Sequence, residues 1–179
     1  VYLDTANVVT NANAVSTTGG NIKIVGTNFT SPSRVYVNNS LVSNVVANST
    51  AILATLPAGS VGNVSLAVYN SSNSGALSGN SVYYSGAPSW VTAAAVSSYN
   101  DVASNIALSA SGDGTLVYTL QSGSGSLPTG ITLSNTGYLS GTATGYTSDT
   151  VVSFTLVVTD NEGQAAQQAF NYTVFIGDT

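Results

Sequence analysis

The sequence predicts an all-β chain folded as two sandwiches in tandem, and three observations carry that prediction. Short runs of apolar residues at period two recur along all 179 residues. Turn signals rich in Gly, Pro and Asn break these runs at roughly ten-residue spacing, the rhythm of a sandwich or barrel. Halfway along, Ser85-Gly86-Ala87-Pro88-Ser89 disfavours continued strand pairing and divides the chain.

The runs follow in order. In NIKIVG, Ile22 and Ile24 share one face. In RVYVN, Val35 and Val37 face one way, and Arg34 and Tyr36 the other. NVSLAVYN sets Val64, Leu66 and Val68 against Ser65, Ala67 and Tyr69. TLVYTL groups Leu116, Tyr118 and Leu120. VVSFTLVVTD groups Val152, Phe154, Leu156 and Val158. FNYTVFI groups Phe170, Tyr172, Val174 and Ile176. Each reads as a strand with one core face. Pro57-Ala58-Gly59, Asn135-Thr136-Gly137 and Asn161-Glu162-Gly163 are among the turns between runs. The expected division is residues 1–19 as an N-terminal arm or first strand, 20–86 as one sandwich and 87–179 as the other.

Composition narrows the function. Hydrophobic residues make up 43% and charged residues 5%, against about 25% charged in an average soluble protein. Ser, Thr, Asn and Gly must therefore supply the polar surface. The chain has no Cys and no His, so disulfides, thiolate sites and the usual zinc and copper ligand sets are excluded. The net charge is −5, and Lys23 and Arg34 are the only basic residues. That argues against a nucleic-acid partner, which needs clustered cations. No apolar run reaches the roughly 20 residues that span a bilayer, and no membrane insertion is expected. Residues 1–88 carry +1 and residues 89–179 carry −6, a further sign of two units. Val1 follows no basic and apolar leader, so the chain is expected to be processed or part of something longer.

Two stretches resemble known families. GGNIKIVGTNF, RVYVNNSLVSNVVANSTAILATLPAG and GNVSLAVYNSSNSGALSGNSVYYS, within residues 20–85, resemble an IPT/TIG domain, which has an immunoglobulin-like fold. Gly26 and Phe29 match its corner, where Gly permits the bend and Phe plugs the sandwich end. LPTGITLSNTGYLSGTATG and FTLVVTDNEGQAAQQAFNYTV, within residues 88–176, resemble the Putative Ig, or dystroglycan-type cadherin-like, family. There the resemblance implies a tight hairpin in which Ile131, Leu133, Tyr138 and Leu139 feed the core. Together they imply two tandem immunoglobulin-like β-sandwiches, modules found in bacterial surface proteins and phage structural proteins.

No catalytic set assembles from the residues. A Ser-His-Asp arrangement is impossible without His, and Lys23 lacks Ser-x-x-Lys spacing. An enzyme is not expected, and no cofactor is. Asp160 and Glu162, with Asp101 or Asp113, are calcium candidates, but Ca²⁺ takes six to eight oxygens. The chain lacks the acidic Asp-x-Asp and Asp-x-Asn-Asp-Asn runs of calcium-binding cadherin relatives. A polar turn is the simpler reading, and no metal is expected. Trp90, the only Trp, is a candidate sugar platform or, more simply, a core plug. Outward Tyr36 and Tyr69 are candidate contact residues, as Tyr is in paratopes, or plain cross-strand neighbours.

The function expected from these features is a non-enzymatic virion structural protein decorating a phage capsid or tail. Its partners would be other virion or surface structural proteins in a homo- or hetero-oligomeric assembly, with a cell-surface glycan as a further ligand. A stalk segment of a bacterial surface adhesin or surface-layer protein is the alternative, at an extracellular or cell-surface location. A carbohydrate-binding module is a third reading.

Overall fold

The computed structural model describes residues 2–4, 14–25, 29–42, 45–69 and 77–177. All regular elements among them are strands. The chain forms two compact units, the first Val1–Gly86 with Asn161–Gly163 and the second Ala87–Asp160 with Gln164–Thr179.

In the first unit, one sheet holds β1 (Tyr2–Asp4), β3 (Gly20–Val25), β7 (Ala51–Leu56) and β6 (Val46–Ala47), in that order. The other runs β2 (Ala14–Ser16), β9 (Leu77–Ser85), β8 (Gly62–Tyr69), β4 (Arg34–Val37), β5 (Ser40–Leu41). The expected alternation places Ile22, Ile24, Val35, Val37, Leu66 and Val68 inside. These side chains come from both sheets and meet in one core with Ile52, Leu56 and Val82, which makes the unit a sandwich. Phe29 is buried in that core, whereas Gly26, its expected corner partner, lies outside the described residues.

Residues 1–19 do not stand apart as an arm where they are described. β1 pairs antiparallel with β3, and β2 pairs parallel with β9. Ala14 and Val15 are buried. Tyr84 closes the Pro57-Ala58-Gly59 turn: it is buried and donates its hydroxyl to the Pro57 carbonyl at 2.8 Å. A Cβ at Gly59 would meet its ring at 2.8 Å, so the turn needs glycine there for space. Burial pushes the Tyr84 hydroxyl above its ordinary value of 10.0. Alkali past that value ionises the unfolded chain first and so weakens the fold.

The second unit is built on β11 (Ala95–Tyr99), β18 (Ala165–Phe175), β17 (Thr150–Thr159) and β14 (Val117–Leu120), in that order. A second sheet runs β12 (Ala103–Ala107), β16 (Tyr138–Thr142), β15 (Ile131–Leu133), and β10 (Ser89–Trp90) pairs with β13 (Ala110–Ser111). Phe154, Leu156, Val158, Phe170, Tyr172 and Val174 point inward from the long β17–β18 hairpin onto Ile131 and Leu139. Two expectations differ. Tyr138 is 44% exposed, because neighbouring strand residues face opposite sides and Leu139 takes the core. Leu120 is 37% exposed, since it ends β14, the edge strand of its sheet. At the β15–β16 turn, Gly137 has φ +89° and its Cα lies against the Tyr118 ring, where a Cβ would come within 2.9 Å. Both facts require glycine.

One inward position of β11 is at odds with its surroundings. Ser98 is 9% exposed, and its Oγ has no hydrogen-bond partner among the described residues. Burying a hydroxyl unbonded costs about 1–3 kcal/mol. Ser98→Ala is therefore expected to stabilise the second unit by about 1 kcal/mol, raising its melting temperature by roughly 4–8 °C. Trp90 fluorescence during thermal melting measures this, since Trp90 packs against the second core. An unchanged or lower melting temperature would mean that the hydroxyl is satisfied.

Candidate functional site

The outward face of β4 and β8 carries the clearest candidate. Tyr36 lies opposite Ala67 and Arg34 opposite Tyr69 in an antiparallel register, so Tyr36 and Tyr69 are diagonal neighbours on one face. Their rings meet edge to face, with centroids 5.4 Å apart and planes at 83°. With Asn39 and Ala67 they line an open cleft of about 320 Å³. Asn39 arrives there through a two-residue turn. Asn38 and Asn39 have φ 47° and 66°, the pair of positive values that a type I′ hairpin demands and Asn tolerates. The Asn38 Oδ1 accepts the Ser65 N–H at 3.1 Å, tying the turn to β8. Leu41, opposite Tyr36 on β5, is 61% exposed and extends the apolar face. Asn39 was not among the residues singled out from sequence; the signal for it is the Asn-Asn pair between two alternating runs.

Trp90 lies elsewhere, in the second unit. Its Nε1 donates to the Ala166 carbonyl at 3.2 Å. Its ring stands edge-on to Tyr118 and Phe170, at 5.6 and 5.2 Å. A half-buried indole committed to a backbone bond and two core rings is not an open stacking platform.

The acidic candidates separate. Asp101 sits between β11 and β12 in a left-handed conformation, φ 58°, and accepts from the Asn100 side chain at 2.7 Å. The preceding Asn100 N–H binds the Phe175 carbonyl, so Asp101 lies at the C-terminal end of β18. Asp160 lies at the other end, before the turn into β18. An 11-residue strand puts roughly 30 Å between those ends, and Asp101 cannot share a ligand with Asp160. The residue that does approach is Asp113: one carboxylate oxygen each of Asp113 and Asp160 lies within 4.8 Å of the other, whereas Glu162 is grouped with the first unit. Asp160 is buried because it closes the turn, its Oδ1 accepting the Gln164 N–H at 2.8 Å and its Oδ2 the Gln164 amide at 3.3 Å.

Two carboxylates fall short of the six to eight oxygens calcium takes, and Asp160 already serves the turn. Millimolar Ca²⁺ is expected to raise the second unit's melting temperature by less than about 5 °C, roughly 1 kcal/mol for such a domain. Calorimetry with and without chelator checks it; a larger, chelator-reversible rise would make the cluster a calcium site.

Lys23 and Arg34 stand on β3 and β4, in different sheets, so the two cations form no shared basic patch for phosphate. No helix among the described residues is long and apolar enough to cross a membrane.

Comparison with known proteins agrees with the division into units. The model of the IPT/TIG domain matches residues 7–85, and that of the family described as "Putative Ig domain" matches residues 87–175. No curated protein matches the sequence. Among solved structures, the chain is similar to an I-band fragment of titin (11% identity, TM-score 0.45), covering 98% of this chain and 66% of that one. It is similar to a C-terminal fragment of intimin solved with the intimin-binding domain of its translocated receptor (11%, 0.46; 93% and 63%). It is also similar to invasin, a bacterial integrin-binding protein (9%, 0.48; 92% and 38%). The chain thus spans less than two thirds of the intimin fragment and under half of invasin. At these identities the likeness is one of fold alone.

Proposed function

The chain consists of one IPT/TIG domain followed by one domain of the Putative Ig family, and from that premise we propose a non-enzymatic display module of an extracellular surface, making contact through the Tyr36–Tyr69 face. The observation that carries this reading is the cleft itself. Two tyrosines and a carboxamide line an open surface hollow, a combination suited to adaptable recognition. With charged residues at 5%, association must rely on such faces and on backbone edges.

We favour a virion surface as the setting, with the module decorating a capsid or tail beside other structural proteins. A stalk segment of a bacterial surface adhesin is the second reading. It is favoured by the parallel pairing of the second and last strands in each unit, β2 with β9 and β11 with β18, which suits modules strung in series. Mass spectrometry of purified particles and of host surface filaments separates the two. Stoichiometric copies in particles are expected, and copies confined to filaments would select the stalk.

The contact face has its own test. Tyr36→Thr with Tyr69→Thr keeps strand propensity and removes both rings. Retention on whichever surface carries the chain is expected to fall about tenfold or more, the scale of a tyrosine hot spot. Circular dichroism should be unchanged, and moderate salt should matter little. Undiminished retention would remove this face from the contact. A glycan array probed with both proteins tests whether the contact is a saccharide.

A further inference from the structure

We infer that the Tyr36–Tyr69 cleft takes a short saccharide bearing a carboxylate, and that Arg34 is the residue that reads the acid group. The inference rests on the contact face proposed above and adds the chemical class of its ligand. Arg34 begins β4, two positions before Tyr36, and stands directly opposite Tyr69 in the β4–β8 register. Residues so opposed share one face, with Cβ atoms about 4.5–5.5 Å apart. Arg34 is exposed, whereas Tyr36 and Tyr69 are half-buried. A guanidinium therefore stands beside the hollow that the two rings line.

The charge of Arg34 has no counterpart in its own sheet. The only carboxylate residue within 1–100 is Asp4. It lies on β1, in the other sheet, opposite Lys23 in the β1–β3 register. No strand of the sheet β2-β9-β8-β4-β5 contains Asp or Glu. An arginine fork is matched by a planar anion, and a carboxylate accepts its paired N–H bonds. A lone cation does not hold a polyanion, whose affinity grows with the number of charges neutralised. The fitting ligand is uncharged except for one acid group at this end.

The rest of the lining suits a sugar ring. The planes of Tyr36 and Tyr69 stand at 83°, so the rings form a corner. That corner offers apolar surface to the C–H face of a pyranose and phenol hydroxyls to its rim. Asn39, exposed at the hairpin tip, brings a carboxamide that donates and accepts, as sugar hydroxyls do. The volume of about 320 Å³ lies at the small end of ligand sites, about 300–1,000 Å³. A folded protein partner would need a matching surface of about 800 Å² instead.

The test is calorimetric titration of the full chain with trigalacturonate and with its methyl ester, which keeps the rings and loses the charge. Sialyllactose and lactose form a second pair, and the two pairs distinguish a uronic from a sialic source. In at least one pair the acid is expected to bind about tenfold or more tighter than its neutral counterpart, the scale of one charge-assisted fork. Arg34→Gln should bring the acid down to the level of the neutral form and leave the neutral form as it was. Arg34→Lys keeps the charge without the fork and should recover only part of the difference. Asn39→Asp is tolerated at φ 66°; it sets a carboxylate in the cleft and should weaken the acid alone. Tyr36→Thr with Tyr69→Thr should weaken both forms. The inference is overturned if acid and neutral forms bind alike, if neither binds at millimolar concentration, or if Arg34→Gln changes nothing. It is also overturned if an aspartate-rich peptide binds as tightly as the acidic saccharide. The contact face is judged separately, by whether the double tyrosine variant loses its retention on the surface. Such a loss beside indifference to every saccharide would leave the face standing and strike its ligand.

Discussion

Deletion of residues 1–19 is expected to lower the melting temperature of the first unit by roughly 12 °C or more and to leave the second unit's transition in place. The segment contributes β1 and β2, an edge strand to each sheet of the sandwich. Val15 and Ala14 are 5% and 1% exposed, and burial of a valine alone is worth about 1.5–3 kcal/mol. Removal also strips the backbone partners of β3 and β9, leaving two new edges over the core formed by Ile22, Ile24 and Val82. A loss of about 3 kcal/mol is large against a typical domain stability of about 5–15 kcal/mol. The second unit has its own core, drawn from residues 90–174 alone, and should melt as before. Scanning calorimetry shows both transitions together. An unshifted first transition would mean that the segment is dispensable for folding.

That segment also marks where the sequence stops being legible. The long alternating runs foretell β3, β4, β8, β17 and β18, because one buried face imposes period two on many residues. Ala14–Ser16 offers three residues, too few to show a period. Its parallel partner, β9, lies some seventy positions on, and nothing local specifies that pairing. The same holds for the contact face. RVYVN shows that Tyr36 points outward, and NVSLAVYN shows that Tyr69 does. Their meeting depends on the β4–β8 register, set between strands far apart in sequence and beside a bulge at Leu66/Val68. The acidic residues fail for a related reason. Composition cannot tell Asp101 from Asp113 as a neighbour of Asp160. The length of β18 decides it, by placing Asp101 at the far end of the strand. For Trp90, a lone indole after a linker proline reads equally as platform or plug in sequence, because its bond to the Ala166 carbonyl joins residues 76 positions apart.

Phe170→Ala is expected to cost the second unit about 3–5 kcal/mol, the range for emptying a buried aromatic site, and so to lower its melting temperature by about 12 °C or more. Phe170 is fully buried. It stands opposite Phe154 in the β17–β18 register and stacks on it, with planes 14° apart and centroids at 6.1 Å. On its other side it takes the edge of Trp90 at 5.2 Å. Truncation therefore removes two ring contacts and opens a cavity between two sheets whose backbones are fixed by their ladders, so collapse can recover little of the loss. Phe170→Leu keeps most of the volume and should cost about half or less. Trp90, as the only Trp, reports both variants directly, since its emission should shift when the ring beside it is removed. The first unit's transition should stay where it was, because none of its core residues belongs to this cluster. If both transitions instead fall together in the alanine variant, the two sandwiches do not fold as independent units, and the separate cores found here are one cooperative structure.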